Sequence, residues 1–303
     1  MTSNPVIDVE RLNLSYGDFH AVKDLSFQVA KGELYALLGT NGAGKTSALE
    51  TVEGHRTADS GTVRVFGRNP RDRRAVRPRM GIMLQESGFS PDLTVRESVR
   101  LIGKLSLRAD RVERVLSLVD LTEKAGTLVS QLSGGEKRRL DFATAVYGQP
   151  ELIFLDEPTT GLDIQSRDAL WDAVDRLRED GSTIVLTTHY LEEAQQRADR
   201  IGLMHQGVLH REGTVAELTR TLPAVIRFSL LAAASSSPVP VPVPTLPLPA
   251  ARESDGRFLV ETFGLQKDLH TLLDWAHANG IELGELHAGP TRLDDVFRSL
   301  GDG

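Results

Sequence analysis

The chain has 303 residues, a formal net charge of −7 and a pI near 5.7. This acidic balance argues against nucleic acid as the main partner, and the absence of cysteine excludes disulfides, iron–sulfur clusters and thiolate zinc sites. The N-terminus lacks a basic start followed by an apolar run, so we expect no signal peptide. No apolar stretch approaches the ~20 residues of a membrane-spanning helix, so we expect a chain that does not cross a membrane by itself.

From residue 6 to about residue 213, short apolar runs alternate with amphipathic stretches, which is typical of an α/β domain. Five of the runs predict strands, at residues 34–38, 81–84, 152–155, 183–187 and 200–204. Helical spacing of apolar residues is clearest over residues 164–179. Between residues 85 and 131 the strand signals vanish and apolar residues recur at helical spacing. This change predicts a helical subdomain, over about residues 86–148, inserted into the sheet domain.

The character of the chain changes after about residue 214. The runs "PAVIRFSL" and "GRFLVETF" predict strands and "LQKDLHTLLDWAHANG" a helix, so we expect a first domain over residues 1–220 and a small α+β appendage over residues 221–303. Residues 235–250, "SSSPVPVPVPTLPLPA", can join neither a ladder nor a helix and predict extended polyproline II. This stretch is a ligand for a proline-binding domain or a stiff spacer or disordered loop, and its alternating prolines favour the spacer or loop.

The sequence "GTNGAGKT", residues 39–46, has the spacing G-x-x-x-x-G-K-T between a predicted buried strand and a predicted helix. Its glycines let consecutive backbone N–H groups point at phosphate oxygens. Lys45 can reach the β- and γ-phosphates, and the Thr46 hydroxyl can ligate Mg²⁺. A glycine-rich turn that matches by chance is the alternative, which the flanking strand and helix disfavour. We therefore expect a nucleotide site formed by Gly39, Thr40, Asn41, Gly42, Ala43, Gly44, Lys45, Thr46 and Ser47.

Two carboxylates follow the predicted strand in "ELIFLDEPTTGLD". A carboxylate at the carboxyl end of a parallel strand emerges beside the ligand crevice of an open α/β sheet. Asp156 suits the ligation of Mg²⁺, and Glu157 can orient or deprotonate an attacking water. Asp-Glu after a strand is by itself an ordinary solvated loop. Together with the phosphate loop, it predicts nucleotide hydrolysis.

A second anion-binding helix start lies almost a hundred residues later, in "LSGGEKRRL". Ser133, Gly134 and Gly135 offer free backbone N–H groups at the positive end of a helix dipole. The chain therefore carries two anion cradles, although one bound nucleotide needs only one.

These motifs, in this order, resemble the ATP-binding cassette ATPases, the nucleotide-binding subunits of ABC transporters. "LLGTNGAGKT" is similar to the family's phosphate loop, "LIFLDEP" to its metal-binding strand and "LSGGEKRRL" to its signature sequence. "TTGLD" resembles its D-loop, and "TTHYLEEAQQRADRIGLMHQGVLHREGT" its switch-histidine region. The resemblance covers residues 6 to about 220. It implies a P-loop NTPase core with an antiparallel β subdomain and an inserted helical signature subdomain, to which the C-terminal α+β appendage is added.

The resemblance also implies roles for single residues. Tyr16 matches the aromatic that stacks on adenine, and its alternative is a core or edge-strand tyrosine. Gln85 matches the glutamine that contacts Mg²⁺ and the attacking water, and its alternative is a surface glutamine. His189 matches the histidine that bridges the γ-phosphate and the water, where the alternative is an incidental histidine. Asp163 matches a D-loop aspartate that aligns two subunits; its alternative is to cap the helix that begins beside it, and the two roles are compatible.

In this family the two anion cradles lie on distant lobes of one cassette, so a signature sequence covers the ATP of a second chain. Ser133, Gly134 and Gly135 are therefore expected to contact the ATP bound at a second chain's Lys45, in a homodimer or heterodimer. One departure is Glu136, where the family most often has glutamine. We expect its carboxylate to point away from the γ-phosphate, toward Lys137 or toward the arginines at 138–139, or back to cap the helix start.

One cassette without a predicted membrane span implies docking on a separately encoded permease, at the cytoplasmic face of the cell membrane. Residues 182–214 and "PTRLDDVFRSLGDG" further resemble bacterial drug and antibiotic exporters of the daunorubicin-resistance type. The implied activity is hydrolysis of ATP with Mg²⁺, coupled to export of drugs, antibiotics or lipophilic compounds. The alternatives are a cassette protein that acts on ribosomes or DNA, and a regulatory module without turnover, which Glu157 and His189 disfavour.

Overall fold

The computed structural model describes residues 4–40, 42–84, 88–220, 222–231, 245–253 and 255–290, together with residues 293 and 296. The chain divides into two compact units, residues 1–215 and 216–303. In the described part of the chain, no helix is both long and apolar enough to span a bilayer.

The described strands of the first unit are, in chain order, β1 (Ile7–Tyr16), β2 (Phe19–Val29), β3 (Leu34–Gly39), β4 (Ser60–Val65), β5 (Met80–Met83), β6 (Leu152–Asp156), β7 (Thr183–Thr187), β8 (Arg200–His205) and β9 (Val208–Gly213). Its described helices are α1 (Lys45–Val52), α2 (Arg73–Val76), α3 (Val95–Leu105), α4 (Val112–Leu118), α5 (Gly134–Val146), α6 (Ile164–Glu179) and α7 (Leu191–Arg197). The strands predicted from apolar runs each begin and end within one residue of the observed strands.

The central sheet has the strand order β5-β6-β7-β3-β8-β9. Its first five strands are parallel, and β9 pairs antiparallel with β8. The apolar residues of β3, β6 and β7 are buried without alternation, as expected when both faces of a parallel sheet are covered. The carboxyl ends of β3, β6 and β7 therefore meet at one edge, where an open α/β sheet binds its ligand.

A second sheet, in the order β2-β1-β4, is antiparallel throughout. Its apolar residues share one buried cluster with α1 and with the central strands, including Leu12 and Leu25 of the antiparallel sheet and Tyr35 and Phe154 of the central sheet. The two sheets and α1 are therefore one packed body. The expected antiparallel β subdomain is observed.

The region between β5 and α5 is helical, as expected. Both α3 and α4 pack against α5. Helix α3 begins with a capping box, in which Thr94 accepts from the Glu97 N–H and the Glu97 carboxylate accepts from the Thr94 N–H. Short 3₁₀ turns at Thr122–Lys124 and Val129–Gln131 lead into α5.

The second unit contains α8 (Val215–Thr219), which spans the division, and then β10 (Ala224–Leu231), β11 (Ala251–Arg252), β12 (Phe258–Thr262), α9 (Leu265–Ala278) and β13 (Glu282–Gly289). The strands form an antiparallel sheet in the order β11-β12-β10-β13. Its core is made by Ile226, Phe228, Val260 and, from α9, Leu272. In the described residues, the expected α+β appendage is thus an antiparallel sheet on which α9 packs.

Most of the proline-rich stretch, residues 235–244, lies outside the described residues. Residues 245–250 form neither helix nor strand, which fits the prediction from the prolines. Leu246 and Leu248 nevertheless pack against the core of the second unit. This end of the stretch is therefore anchored to the sheet by apolar contacts, which the spacer interpretation did not anticipate.

Candidate active site

The loop between β3 and α1 is shaped by positions that leave no room for a side chain. A Cβ on Gly39 would lie 2.6 Å from the carbonyl oxygen of Met204, and one on Gly44 would lie 2.3 Å from that of Ala21. Gly44 also has φ 94°, in the left-handed region that favours glycine. The loop therefore makes its tight curl at the N-terminus of α1 through backbone packing, as a phosphate cradle requires.

The Lys45 side chain lies inside this curl. Its ammonium donates to the carbonyl oxygens of Gly39 at 2.7 Å and Thr40 at 3.2 Å. Burial lowers the pKa of Lys45, while the carboxylates of Glu157 and Asp156 act in the opposite direction. A bound anion would further favour the charged lysine. Lys45 therefore lies close enough to Glu157 and Asp156 for both carboxylate charges to act on its ammonium.

Beside the loop lies a cavity of about 170 Å³, lined by Tyr16, Phe19, Ala21 and residues 42–47. The Tyr16 hydroxyl lies 3.0 Å from that of Ser47, and the Arg56 guanidinium lies 4.5 Å from the Tyr16 ring centroid. Phe19 pairs with Tyr16 across β1 and β2 and is 63% exposed. The sequence reasoning missed Phe19, although a second aromatic three residues after Tyr16 was a usable signal.

Asp156 is the last residue of β6 and lies at the ligand edge of the sheet. Its carboxylate accepts a hydrogen bond from the Thr187 hydroxyl, and burial raises the pKa of Asp156. Two of the predicted site residues, Asn41 and Gln85, lie outside the described residues. Leu84, immediately before Gln85, follows β5, which pairs with β6.

Glu157 is held by both its backbone and its side chain. Its φ of 53° is unusual for a residue with a Cβ, and its N–H donates to the carbonyl oxygen of Thr187 at 3.0 Å. His189 donates from Nδ1 to Glu157 Oε2, and the Thr160 hydroxyl donates to the same oxygen at 3.2 Å. The Glu157 side chain is 17% exposed and that of His189 is 51% exposed. Strained backbone that surrounding contacts maintain is a common property of functional sites.

Helix α5 begins with the residues of the second anion cradle, in the helical region rather than at the sheet edge that carries Lys45. Ser133 is its N-cap and accepts from the Glu136 N–H at 3.2 Å, while Glu136 Oε2 accepts from the Ser133 N–H at 2.8 Å. Lys124 lies 3.3 Å from the other oxygen of Glu136. The backbone N–H of Ser133 is the main cause of the lowered pKa of Glu136.

Of the orientations expected for Glu136, the capping one is therefore correct. The orientations toward Lys137 or toward the arginines at 138–139 are wrong, because the cap and Lys124 already hold both carboxylate oxygens. Asp163 likewise caps α6, where its carboxylate accepts from the Ser166 N–H at 2.7 Å.

Comparison with known proteins identifies the family. Residues 22–160 match the family model "ABC transporter". Nod factor export ATP-binding protein I of Paraburkholderia xenovorans is 41% identical over 218 residues, which cover 70% of this chain and 72% of that protein. The chain belongs to the ATP-binding proteins of ABC transporters.

Other similar proteins include resistance proteins. Daunorubicin resistance ATP-binding protein DrrA3 of Streptomyces coeruleorubidus is 40% identical, over 71% of this chain and 70% of that protein. Linearmycin resistance ATP-binding protein LnrL of Bacillus subtilis is 36% identical, over 72% of each. The second unit, at residues 224–291, matches the model "ABC transporter domain-containing protein-like, C-terminal domain".

Solved structures confirm the predicted ABC fold. An ATP-binding subunit of an ABC transporter superposes with a TM-score of 0.67 at 25% identity, covering 71% of this chain and 92% of that one. A dimeric bacterial ABC transporter cassette gives a TM-score of 0.64 at 25% identity, covering 69% of this chain and 98% of that one. The protein is an ABC ATPase that binds ATP and couples its hydrolysis to transport, and the relatives support this over a ribosome- or DNA-associated cassette.

Proposed function

We propose that this protein energises the export of antibiotics or other lipophilic compounds through a separately encoded permease, at the cytoplasmic face of the cell membrane. The names of the relatives, which export Nod factor or confer resistance to daunorubicin and linearmycin, support this substrate class. The observation that best supports hydrolysis is that His189 and Thr160 hold the Glu157 carboxylate beside the phosphate loop.

ATP binds with its base in the cavity beside Tyr16 and Phe19 and its phosphates in the loop at residues 39–46. Aromatic faces hold a base by stacking, and the loop N–H groups with Lys45 hold the phosphates. This assignment is supported by the position of both aromatic side chains at the rim of the loop.

The residues present fit a magnesium ion. Mg²⁺ prefers oxygen ligands, and Asp156 is a partly buried carboxylate whose pKa is raised by burial and, to a smaller extent, by the charge of Glu157, so a cation beside it would be favourable. Thr46, Gln85 and Asp156 would hold the ion. When bound, Mg²⁺ neutralises charge on the phosphate oxygens.

Glu157 then accepts a proton from the attacking water, and His189 keeps the carboxylate oriented. A carboxylate fixed by two hydrogen-bond donors cannot swing away from the γ-phosphate, which favours in-line attack. Since His189 Nδ1 is engaged with Glu157, its other ring nitrogen is the one available to the γ-phosphate.

Closure requires a second cassette. Ser133, Gly134 and Gly135 of one chain cover the γ-phosphate held by the other, in a homodimer or with a similar cassette. The capping role of Glu136 supports this assignment, because its negative charge is neutralised within its own chain by Lys124 and the Ser133 N–H.

The test of hydrolysis is Glu157→Gln in the full chain, with the exposed Glu123→Gln as the matched control. We expect ATP turnover to fall by roughly 10² to 10⁴, the usual contribution of a general base, while the control retains wild-type turnover. Sedimentation of the Glu157→Gln variant with ATP should reveal a dimer that is absent without ATP. Near-wild-type turnover would reject Glu157 as the base, and a monomer under both conditions would reject the two-cassette site.

The test of transport is co-expression with a candidate permease, chosen from the membrane proteins encoded near this chain, followed by affinity purification in detergent and a daunorubicin efflux assay. We expect the two proteins to co-purify and efflux to require the Glu157 carboxylate. Co-purification without efflux would retain the transporter assignment and exclude this drug as substrate.

A further inference from the structure

Arg138 lies on α5, five residues after the N-cap serine, in the basic run "EKRRL". Unlike an ordinary surface arginine, it is only 7% exposed. Its guanidinium donates to backbone carbonyl oxygens at the carboxyl ends of two separate strands, β5 and β6: Leu84 at 2.7 Å, Asp156, Glu157 at 2.6 Å and Pro158 at 3.3 Å. One side chain thus ties the helical region to the end of β5 and to the loop after β6.

Three of these carbonyl groups, those of Asp156, Glu157 and Pro158, belong to the backbone on both sides of Glu157. That backbone has a φ of 53°, a conformation that residues with a Cβ rarely adopt without support from their surroundings. Arginine presents several N–H donors in one rigid plane, so a single guanidinium can bridge carbonyl groups that a lysine ammonium, a compact point charge, cannot span in the same way. The contacts therefore require arginine specifically, and not merely a positive charge.

We propose that Arg138 is a positioning residue for hydrolysis: it holds the backbone of Glu157 so that the carboxylate faces the attacking water in its own site. The proposal rests on the proposed function, in which Glu157 is the general base. It also gives α5 two roles. The helix presents Ser133, Gly134 and Gly135 at its start, and one turn later its arginine holds this chain's own catalytic loop.

A purely structural role makes a different prediction. If Arg138 only stabilised the fold, its loss would lower the melting temperature and the affinity for ATP together with turnover. A positioning role lowers kcat and leaves ATP binding intact, because the phosphate loop and the base cavity do not use the guanidinium.

The test compares Arg138→Lys with Arg139→Lys in the full chain. Arg139 is the neighbouring arginine on α5, and its guanidinium lies 3.6 Å from the exposed carboxylate of Asp120. We expect Arg138→Lys to lower kcat by about tenfold to a hundredfold, the usual effect of misplacing a reacting group by a fraction of an ångström to 1 Å. Its KM for ATP and its affinity for a trinitrophenyl-ATP probe should stay within about twofold, and Arg139→Lys should leave all three near wild type.

A double variant separates this inference from the function on which it depends. Glu157→Gln alone tests the base, and near-wild-type turnover there rejects the proposed function. If that variant is impaired as expected, adding Arg138→Lys should lower its residual turnover less than twofold, because the positioned carboxylate is already gone.

The proposal is overturned if Arg138→Lys keeps wild-type kcat, or if the losses multiply in the double variant. It is also overturned if ATP affinity and melting temperature fall in parallel with kcat. Arg138→Gln, which keeps an amide donor, serves as the second variant if the lysine protein does not fold. Failure of both to fold assigns Arg138 a structural role and overturns the proposal.

Discussion

The phosphate loop at residues 39–46 and the loop after β6, at residues 157–160, are fixed in opposite ways. At Gly39 and Gly44 the chain is held by backbone packing that excludes side chains. At Glu157 it is held by hydrogen bonds from side chains, those of Thr160 in the same loop and of His189 and Arg138 from distant parts of the chain. Substitution in the first loop meets a steric limit, whereas substitution in the second removes hydrogen bonds and should leave the fold and ATP binding intact.

The largest effect is expected for Gly44→Ala. The new Cβ would lie 2.3 Å from the Ala21 carbonyl oxygen at a φ of 94°, so ATP binding should be lost. Calorimetric titration with ATP measures the loss. Gly181→Ala is a matched control, since Gly181 has the same φ of 94° with no atom within 4 Å of its Cβ position. The control should cost about 1 kcal/mol of unfolding free energy through strain alone and retain ATP binding. If both variants bind ATP with the same affinity, the clash with the Ala21 carbonyl oxygen does not control ATP binding.

His189→Ala should impair hydrolysis and leave ATP binding intact, whereas Gly44→Ala should abolish ATP binding. Loss of the donor to Glu157 removes one of the contacts that fix the carboxylate, so we expect kcat to fall about a hundredfold with an ATP affinity close to wild type. Steady-state ATPase assays and titration with ATP measure the two quantities. The exposed His210→Ala is the control and should retain wild-type turnover. A loss of ATP binding in His189→Ala would contradict the division between binding by the first loop and hydrolysis at the second.

A smaller effect is expected at the base cavity. Tyr16→Ala and Phe19→Ala should each weaken ATP binding by about tenfold, because each removes one aromatic face from the cavity. Dissociation constants for ATP provide the measurement, with Phe263→Ala as the control, since Phe263 is 83% exposed and belongs to the second unit. If Phe19→Ala binds ATP as wild type does, the base contacts Tyr16 alone.

The smallest effect concerns stability. Burial raises the pKa of Asp156 above its ordinary value, so its ionised form destabilises the folded protein at neutral pH. Asp156→Asn should therefore raise the melting temperature of the nucleotide-free, magnesium-free protein at pH 7, although hydrolysis is lost. The gain should shrink as the pH falls through the raised pKa of the folded protein, and it should vanish below about 4, the ordinary aspartate pKa, where the wild-type carboxyl is neutral in both folded and unfolded states. Calorimetry at several pH values tests this, and a lower melting temperature for the variant at pH 7 would contradict it.

Much of the fold could be predicted from the sequence. Strands such as 183–187 are short runs that must be buried on both faces, and α6 has a clear helical period. The phosphate loop was recognisable because the residue types it requires fall within eight consecutive residues, 39–46, even though the atoms that exclude a side chain at Gly39 and Gly44 belong to Met204 and Ala21. A motif whose residues are consecutive leaves a readable pattern in the sequence.

The rest depends on contacts between distant parts of the chain. Arg138 is one basic residue in a run of three, and only the fold places it against carbonyl groups 18 to 20 residues later and 54 residues earlier. Leu246 and Leu248 lie among prolines that predict a spacer, yet they pack on the second unit's core. A backbone carbonyl that receives a hydrogen bond leaves no trace in residue identity.

The N-cap residue of α5 adds one group to the dipole of the helix. The Ser133 oxygen accepts from the Glu136 N–H, and its hydroxyl proton can be donated either to the Glu136 carboxylate or, by rotation, to a bound anion. Hydrogen bonds in series polarise one another, so the serine hydroxyl becomes the last group of the chain of aligned dipoles that runs through the helix. In the proposed two-cassette site, a nucleotide at this end of α5 would meet a donor that the helix polarises. Replacement of Ser133 by alanine would remove the hydroxyl dipole at the start of α5, while Gly134 and Gly135 would retain their backbone N–H groups.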